Sequence, residues 1–270
     1  MTLAGIFLYP VKSLRGFAVD VAEMDALGLA GDRRFLVVDE QGQFLTQRAL
    51  PAMARITTAL ERGNLILRNP DQGSAAVPLA ESGPECTVQV WRDTATAEDC
   101  GVEVAVWLSD FLRHPCRLVR IGRNFSRPVT KPVALPGDAY TFADGAPLLA
   151  VSEASVAALN DRILERGGDP VPMDRFRPNL VFTDCAAFAE DEGNGFQIGA
   201  VTLRSAGRSE RCLITTTDQA TGARGKEPLR TLATFRRHPE DPGRVYFGQN
   251  LINASKSGTI RVGDAVTPLA

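Results

Sequence analysis

The chain predicts a β-rich α+β fold in which an N-terminal barrel-like unit precedes a second, helix-decorated β unit. Three features carry that expectation. Short apolar segments of five to eleven residues crowd the first hundred positions, each closed by Gly, Pro, Asp or Asn. Helical spacing of apolar residues is confined to a few stretches. Between the two groups of strands lies GRNFSRPVTKPVALPGDAY (122–140), basic, rich in proline and without periodicity. Short strands at close spacing favour a barrel or sandwich over a parallel sheet wound with helices.

In the first unit, expected over residues 1–120, the strands are AGIFLYPVK, FAVDVAEMDAL, RFLVVD, FLTQR, NLILRN, AAVPLA and TVQVW. RFLVVD and FLTQR flank Asp39-Glu40-Gln41-Gly42 and read as a hairpin. GVEVAVWLSDFLRH (101–114) places Val104, Trp107, Leu108, Phe111 and Leu112 on one helical face; Pro115 limits it, and CRLVRIG follows as a strand. Residues 121–140 are expected to connect the units, either as a simple linker or as a functional loop. The second unit, 141–270, opens with Ser152 as N-cap of a helix carrying Val156, Leu159 and Ile163, with Gly167 near its stop. FRPNLVF, FQIGAVTLRS, RCLITTT, RVYFGQNLI and TIRVGDAV then read as strands.

Composition excludes several function classes. A net charge of −2 provides no global field to draw nucleic acid or an anionic membrane, so any anion site must be local. Only two histidines occur, His114 and His238, each followed by proline, which disfavours a Ser-His-Asp triad or a multi-histidine metal site. Neither a Walker A loop nor a GxGxxG after a strand is present. Five scattered cysteines without a C-x-x-C pair argue against a disulfide framework or a zinc site. The N-terminus lacks the pattern of a secretory signal, and no apolar run approaches the roughly 18 residues of a membrane span. A cytoplasmic protein that binds neither membrane nor nucleic acid is expected.

Four places carry chemical potential. YPVKSLRG (9–16) breaks a strand and presents Lys12, Ser13 and backbone donors suited to phosphate or another anion. GDRRF places Arg33 and Arg34 at a strand entrance, where alternation sends them to opposite faces and leaves open which points inward. In FRPN, Pro178 is expected to hold Arg177 extended, beside Asn179. Cys212 is a lone thiol, and a thiolate is a ligand for thiophilic metals. Each has a plainer reading taken alone: a solvated turn, structural salt bridges, a packed cysteine. One arrangement uses all four. A cofactor that brings its own metal ligands takes the sulfur of Cys212, and the cations bind its anionic tail.

YPVKSLRG, GDRRFLVV, FADGAPLLAVSEAS, FRPNLVF, RCLITTTDQATG, KEPLRTL, YFGQNLI and GTIRVGDAV stand in the order found in MOSC-domain proteins. The chain resembles the branch with an N-terminal β-barrel domain, which includes the mitochondrial amidoxime-reducing components and bacterial proteins acting on N-hydroxylated bases. The resemblance implies a molybdenum cofactor (Mo-molybdopterin), with Cys212 as metal ligand and catalytic residue. It places Lys12, Ser13 and Arg33, rather than Arg34, at the pterin phosphate, and Asp144, Arg177, Asn179, Arg211 and Asn250 at further cofactor contacts. It implies reduction of hydroxylamino-purines or amidoximes, with electrons from a separate ferredoxin-like or flavoprotein reductase, and a role in detoxification. MOSC domains also close cofactor sulfurases. This brings the alternative of a carrier or sulfur-transfer module and an association with pyridoxal phosphate binding, although no pyridoxal-phosphate-type desulfurase domain is seen. Two features depart from the pattern. Glu210 stands where relatives have Ser or similar, and VTPLA ends the chain without the ferredoxin-like domain of longer bacterial relatives.

Overall fold

The computed structural model describes residues 1–270. Strand pairing does not follow chain order. Thr2–Leu8 pairs antiparallel with Leu180–Thr183, matching Thr2 with Thr183 and Ile6 with Leu180. It thereby enters an eight-stranded sheet otherwise built, apart from Phe17–Val19, from residues beyond 147. Val21–Asp25 pairs with Gly258–Arg261 in a separate three-stranded sheet. These early strands deliver Leu3, Ile6, Leu8, Ala22 and Met24 into one core with Phe182, Phe196, Leu203, Leu251 and Ile260. Burying a side chain of this size contributes about 1.5–3 kcal/mol, so long-range pairing is driven by the apolar face that each strand must cover.

The sheet's one parallel pair, Leu148–Ser152 beside Leu180–Thr183, requires a crossover, which a helix supplies. A four-stranded sheet (Phe35–Val38, Arg117–Arg120, Asp93–Asp99, Glu85–Val90) and the meander Thr57–Glu61, Asn64–Asn69, Gly73–Pro78 form the rest of the first unit. Its main core joins Phe35, Val37, Met53, Ile56, Leu65 and Leu67 to one helix face.

Helix α1 (Val102–Leu112) buries Val104, Leu108 and Leu112 of the predicted face together with Ala105, leaves Trp107 and Phe111 half-buried, and ends where Arg113 turns left-handed. Helix α2 (Glu153–Glu165) is the crossover; its N-cap is Ser152, whose Oγ accepts from the Ser155 N–H at 3.1 Å. Helix α3 (Leu229–Phe235), a two-turn element, was not apparent from its seven residues; Leu232 joins the core of Val156, Leu159, Ile163, Phe176 and Phe247.

Three local expectations are overturned. FLTQR forms no strand. Phe44 makes a single bridge to Val38, and Thr46 then closes a turn by accepting from the Ala49 and Leu50 N–H groups. RCLITTT is likewise not a strand, because Leu213–Thr216 winds into a 3-10 turn immediately after Cys212. Arg177 is left-handed (φ 53°) rather than extended, since its N–H bonds back to the Asp174 carbonyl at the end of a 3-10 turn. In each case β-branched or pre-proline propensity is overridden by backbone hydrogen bonds that close a turn over three or four residues.

Candidate functional site

A cavity of about 860 Å³ opens where the two units meet, and ten Lys or Arg side chains against three carboxylates line it. Positive charge that the chain as a whole lacks is thus concentrated locally. Lys12, Ser13, Arg33, Asp144, Arg177, Asn179, Arg211, Cys212 and Asn250 all stand on its wall. Arg34 does not; it turns away to Asp25. His114 and His238 lie outside it.

The YPVKSLRG loop is forced into the cavity by the hairpin that it closes. Thr2–Leu8 pairs with Phe17–Val19, and a Cβ on Gly16 would sit 2.3 Å from the Leu8 carbonyl oxygen, so only glycine permits so close a return. Ser13, Arg33 and Arg177 are all left-handed (φ 67°, 48° and 53°). Each costs on the order of 1–2 kcal/mol for a residue with a Cβ. Such strain persists only where surrounding contacts impose it. The Ser13 carbonyl accepts from Gln47 Nε2 at 2.8 Å, and the Arg33 N–H donates to the Tyr9 carbonyl at 2.8 Å.

Tyr9 is the platform for two of the cations. Its ring lies 4.8 Å from the Arg33 guanidinium carbon and 4.4 Å from that of Arg177, and its hydroxyl donates to the Pro178 carbonyl at 3.1 Å. Burial holds its phenol far above the ordinary range, so it stays neutral. Arg33 is paired with buried Asp32 and donates to Asn179 Oδ1 at 2.9 Å. Arg177 has no carboxylate; it donates to Gln219 Oε1 at 3.3 Å, and burial, with help from the Arg33 charge, pushes it down to about 10. Arg211 also lacks a carboxylate, donating to Ser209 Oγ and the Phe176 carbonyl, while its buried Nε has no partner. Burial lowers it too. Charges removed from water without a counter-ion are costly. Arg177 and Arg211 together therefore call for an anionic ligand.

Lys12 is almost fully buried, and its ammonium pairs with Asp144 and donates to the Phe142 carbonyl at 2.9 Å. Burial lowers its pKa, with the Asp144 charge opposing. Asp144 itself faces the cavity with half of its side chain exposed. Burial would raise its pKa, but the Lys12 ammonium, the Trp91 indole N–H (2.7 Å) and Arg48 hold it well below the carboxylate range.

Cys212 closes the constellation. The ladder bond from Arg211 N–H to the Val245 carbonyl (2.8 Å) ends the long strand Val201–Glu210, and the Cys212 carbonyl then caps the next turn by accepting from Thr215 N and Oγ1. The thiol, fixed at both backbone ends, is exposed to the cavity, where Arg48 Nη2 donates to Sγ at 3.4 Å. Arg48 in turn lies 4.4 Å above the Trp91 ring. Glu210 is held at the rim by Arg244 (2.9 Å), a guanidinium it shares with Asp241 (2.8 Å). Asn250, on the neighbouring strand Tyr246–Asn253, donates to the Arg208 carbonyl at 3.4 Å.

Arg48, Trp91 and the Gln47–Gln219 pair were missed. Arg48 and Gln47 sat in a presumed strand, and no local pattern marks a side chain that reaches across to another unit. The 122–140 segment contributes Arg127, Thr130, Lys131 and Tyr140 to the cavity wall. Arg127 ties it to Asp93 (2.7 Å) in the first unit; Asp138, paired with Arg204 and Lys256, ties it to the second.

No three His, Cys, Asp or Glu side chains cluster to hold a bare metal ion. One thiol, an open volume and guanidiniums lacking counter-ions fit a metal that arrives already chelated by an anionic organic group. No helix is long and apolar enough to cross a membrane.

Comparison with known proteins finds two family models along the chain. Residues 1–115 match the MOSC N-terminal beta barrel domain, and residues 137–267 match the MOSC domain. Mitochondrial amidoxime-reducing component 1 of Mus musculus is 35% identical over 281 residues, covering 98% of this chain and 81% of the mouse protein. Mitochondrial amidoxime reducing component 2 of Bos taurus is 33% identical, with 98% and 82% covered. Component 1 of Xenopus laevis is 33% identical, with 97% and 80% covered.

Proposed function

This chain belongs to the MOSC-domain family, in the branch with the N-terminal β-barrel domain, and from that premise we propose that it is a molybdenum-cofactor-dependent reductase of N-hydroxylated compounds. The observation that carries the proposal is an exposed Cys212 sulfur opening into a cavity where the Arg177 and Arg211 guanidiniums lack carboxylate partners. Cys212 Sγ would ligate the metal, and Arg33, Arg177 and Arg211, with Ser13, Asn179 and Asn250, would hold the anionic remainder of the cofactor. When bound, the cofactor supplies two-electron oxygen-transfer chemistry that converts N–OH to N–H, as in hydroxylamino-purines or amidoximes.

The chain's own residues orient and tune. Arg48 donates to Sγ and places positive charge beside it, where it would orient the sulfur and balance charge at the metal. Lys12 is held by Asp144 and the Phe142 carbonyl, so it shapes the floor through a fixed pair rather than as a free cation. Asp144 remains ionised and accepts from the Trp91 indole, locking that ring beneath Arg48. Electrons come from a separate ferredoxin-like or flavoprotein reductase. Cytoplasmic residence belongs to the same proposal and is supported by five cysteines, all unpaired in the fold. Pyridoxal phosphate binding and a detoxification role gain no support from the cavity or the relatives.

Protein expressed with molybdenum is expected to carry near-stoichiometric metal, and Cys212→Ser to carry little. Equal metal in both sinks the ligand assignment. A carrier or sulfur-transfer role is favoured by the same exposed thiol. Anaerobic reduction of a hydroxylamino-purine by an artificial electron donor separates the two, since turnover supports the reductase and tight cofactor retention without turnover supports the carrier.

A further inference from the structure

The three most deeply buried cations in this protein are Lys12, Arg127 and Arg120. Lys12 is paired with Asp144 and Arg127 with Asp93. Arg120, 6% exposed, has no carboxylate. Its hydrogen bonds leave Nη1 for the Pro78 and Glu81 carbonyls (2.6 and 2.5 Å), and its buried Nε has no partner. The lack of a carboxylate partner is also what marks Arg177 and Arg211 in the large cavity.

Arg120 also borders a cavity. A separate space of about 350 Å³, sharing no residue with the large one, is lined by Arg120, Arg34, Asp25 and the apolar side chains Phe35, Leu60 and Leu79. Register brings the two arginines together. Phe35 pairs with Arg120 across adjacent strands, and the Ile121 N–H donates to the Arg34 carbonyl at 2.9 Å. Arg34 Nη2 donates to both oxygens of Asp25 at 2.7 Å, while its buried Nε is unpartnered. Asp25 balances one of the two guanidiniums, leaving a single uncompensated positive charge against an apolar wall.

We propose that this second cavity is a binding site for a small monocarboxylate with a short apolar tail, whose carboxylate is the missing counter-ion of Arg120. The single residual charge disfavours a dianion such as phosphate, and Phe35, Leu60 and Leu79 take up the tail. The adjacent arginines of GDRRF thus serve different cavities, Arg33 the large one and Arg34 this one.

The test uses the full chain in low-salt buffer free of carboxylates and phosphate. Isovalerate is the probe, with isovaleramide as its neutral match and inorganic phosphate as the dianion, read by thermal unfolding and titration calorimetry. Isovalerate is expected to bind one-to-one and raise Tm; isovaleramide and phosphate at equal concentration leave Tm unmoved. Arg120→Met should weaken isovalerate binding at least tenfold, the change that accompanies a loss of about 1.4 kcal/mol, while Arg177→Met keeps the Tm response. Leu79 is 42% exposed at the cavity mouth. Leu79→Glu therefore tests the site without disturbing the core, and its internal carboxylate should raise Tm and abolish the response to isovalerate. Three results overturn the proposal: no response to isovalerate, an equal response to isovaleramide or phosphate, or a response lost in Arg177→Met but kept in Arg120→Met and Leu79→Glu.

Discussion

Gln47 and Gln219 form a reciprocal amide clasp between a turn of the first unit and a turn of the second. Each Nε2 donates to the other's Oε1 at 3.0 Å, and the two side chains are 0% and 2% exposed. Gln47 also donates to the Ser13 carbonyl, while Gln219 donates to the Thr217 carbonyl and accepts from Arg177. Replacing Gln47 by Met removes three hydrogen bonds, replacing Gln219 by Met removes four, and the double replacement removes five, because the two mutual bonds are counted in both singles. At about 1 kcal/mol net per bond, the expected losses are about 3, 4 and 5 kcal/mol. The singles then overshoot the double by about 2 kcal/mol. Urea unfolding of the four proteins at one pH, with unchanged slopes, measures that coupling directly. Additivity within about 0.5 kcal/mol would refute the clasp and the idea that Ser13 and Arg177 are steadied through it.

Two further outcomes are expected. Asp138, whose side chain is 1% exposed, would be raised by burial, but the Leu135 N–H, the Lys256 ammonium and the Arg204 guanidinium outweigh this and hold it below its ordinary value. A carboxylate depressed in the folded state adds stability that is complete above its unfolded pKa, about 3.9. That stability fades as pH falls through the lower folded value. The gap in urea midpoint between wild type and Asp138→Asn should therefore be constant above about pH 5 and close at lower pH; a gap unchanged at strongly acidic pH contradicts a stabilising role for the ionised Asp138 pairs with Arg204 and Lys256. Phe247 is fully buried and stacked on Phe176 at 4.2 Å. Phe247→Ala should cost about 3–5 kcal/mol by urea unfolding, and a loss under about 1 kcal/mol would show that this core collapses around the gap.

Much of the local architecture was legible because its physics is local. Ser152 announces α2 through its capping hydroxyl, and α1 is marked by apolar spacing and stopped before Pro115. The strands with alternating or continuous apolar residues were found for the same reason. FLTQR and RCLITTT failed because β-branched composition cannot distinguish a strand from a turn whose backbone bonds close over three or four residues. Arg177 failed because the usual pre-proline preference was outweighed by a bond to the Asp174 carbonyl and by the Tyr9 ring beneath its guanidinium.

By itself, the order of residues determined which side chains had charge or sulfur to offer, which segments were apolar enough to need covering, and which positions required glycine. Only the folded chain decided that Thr2–Leu8 lies beside Leu180–Thr183, that Arg33 and Arg34 face separate cavities, and that Arg48 reaches the sulfur of Cys212. The reason is that burial and charge compensation depend on distance in space. Residues far apart in the chain acquire a shared energy only once packing has brought them within a few ångströms of one another.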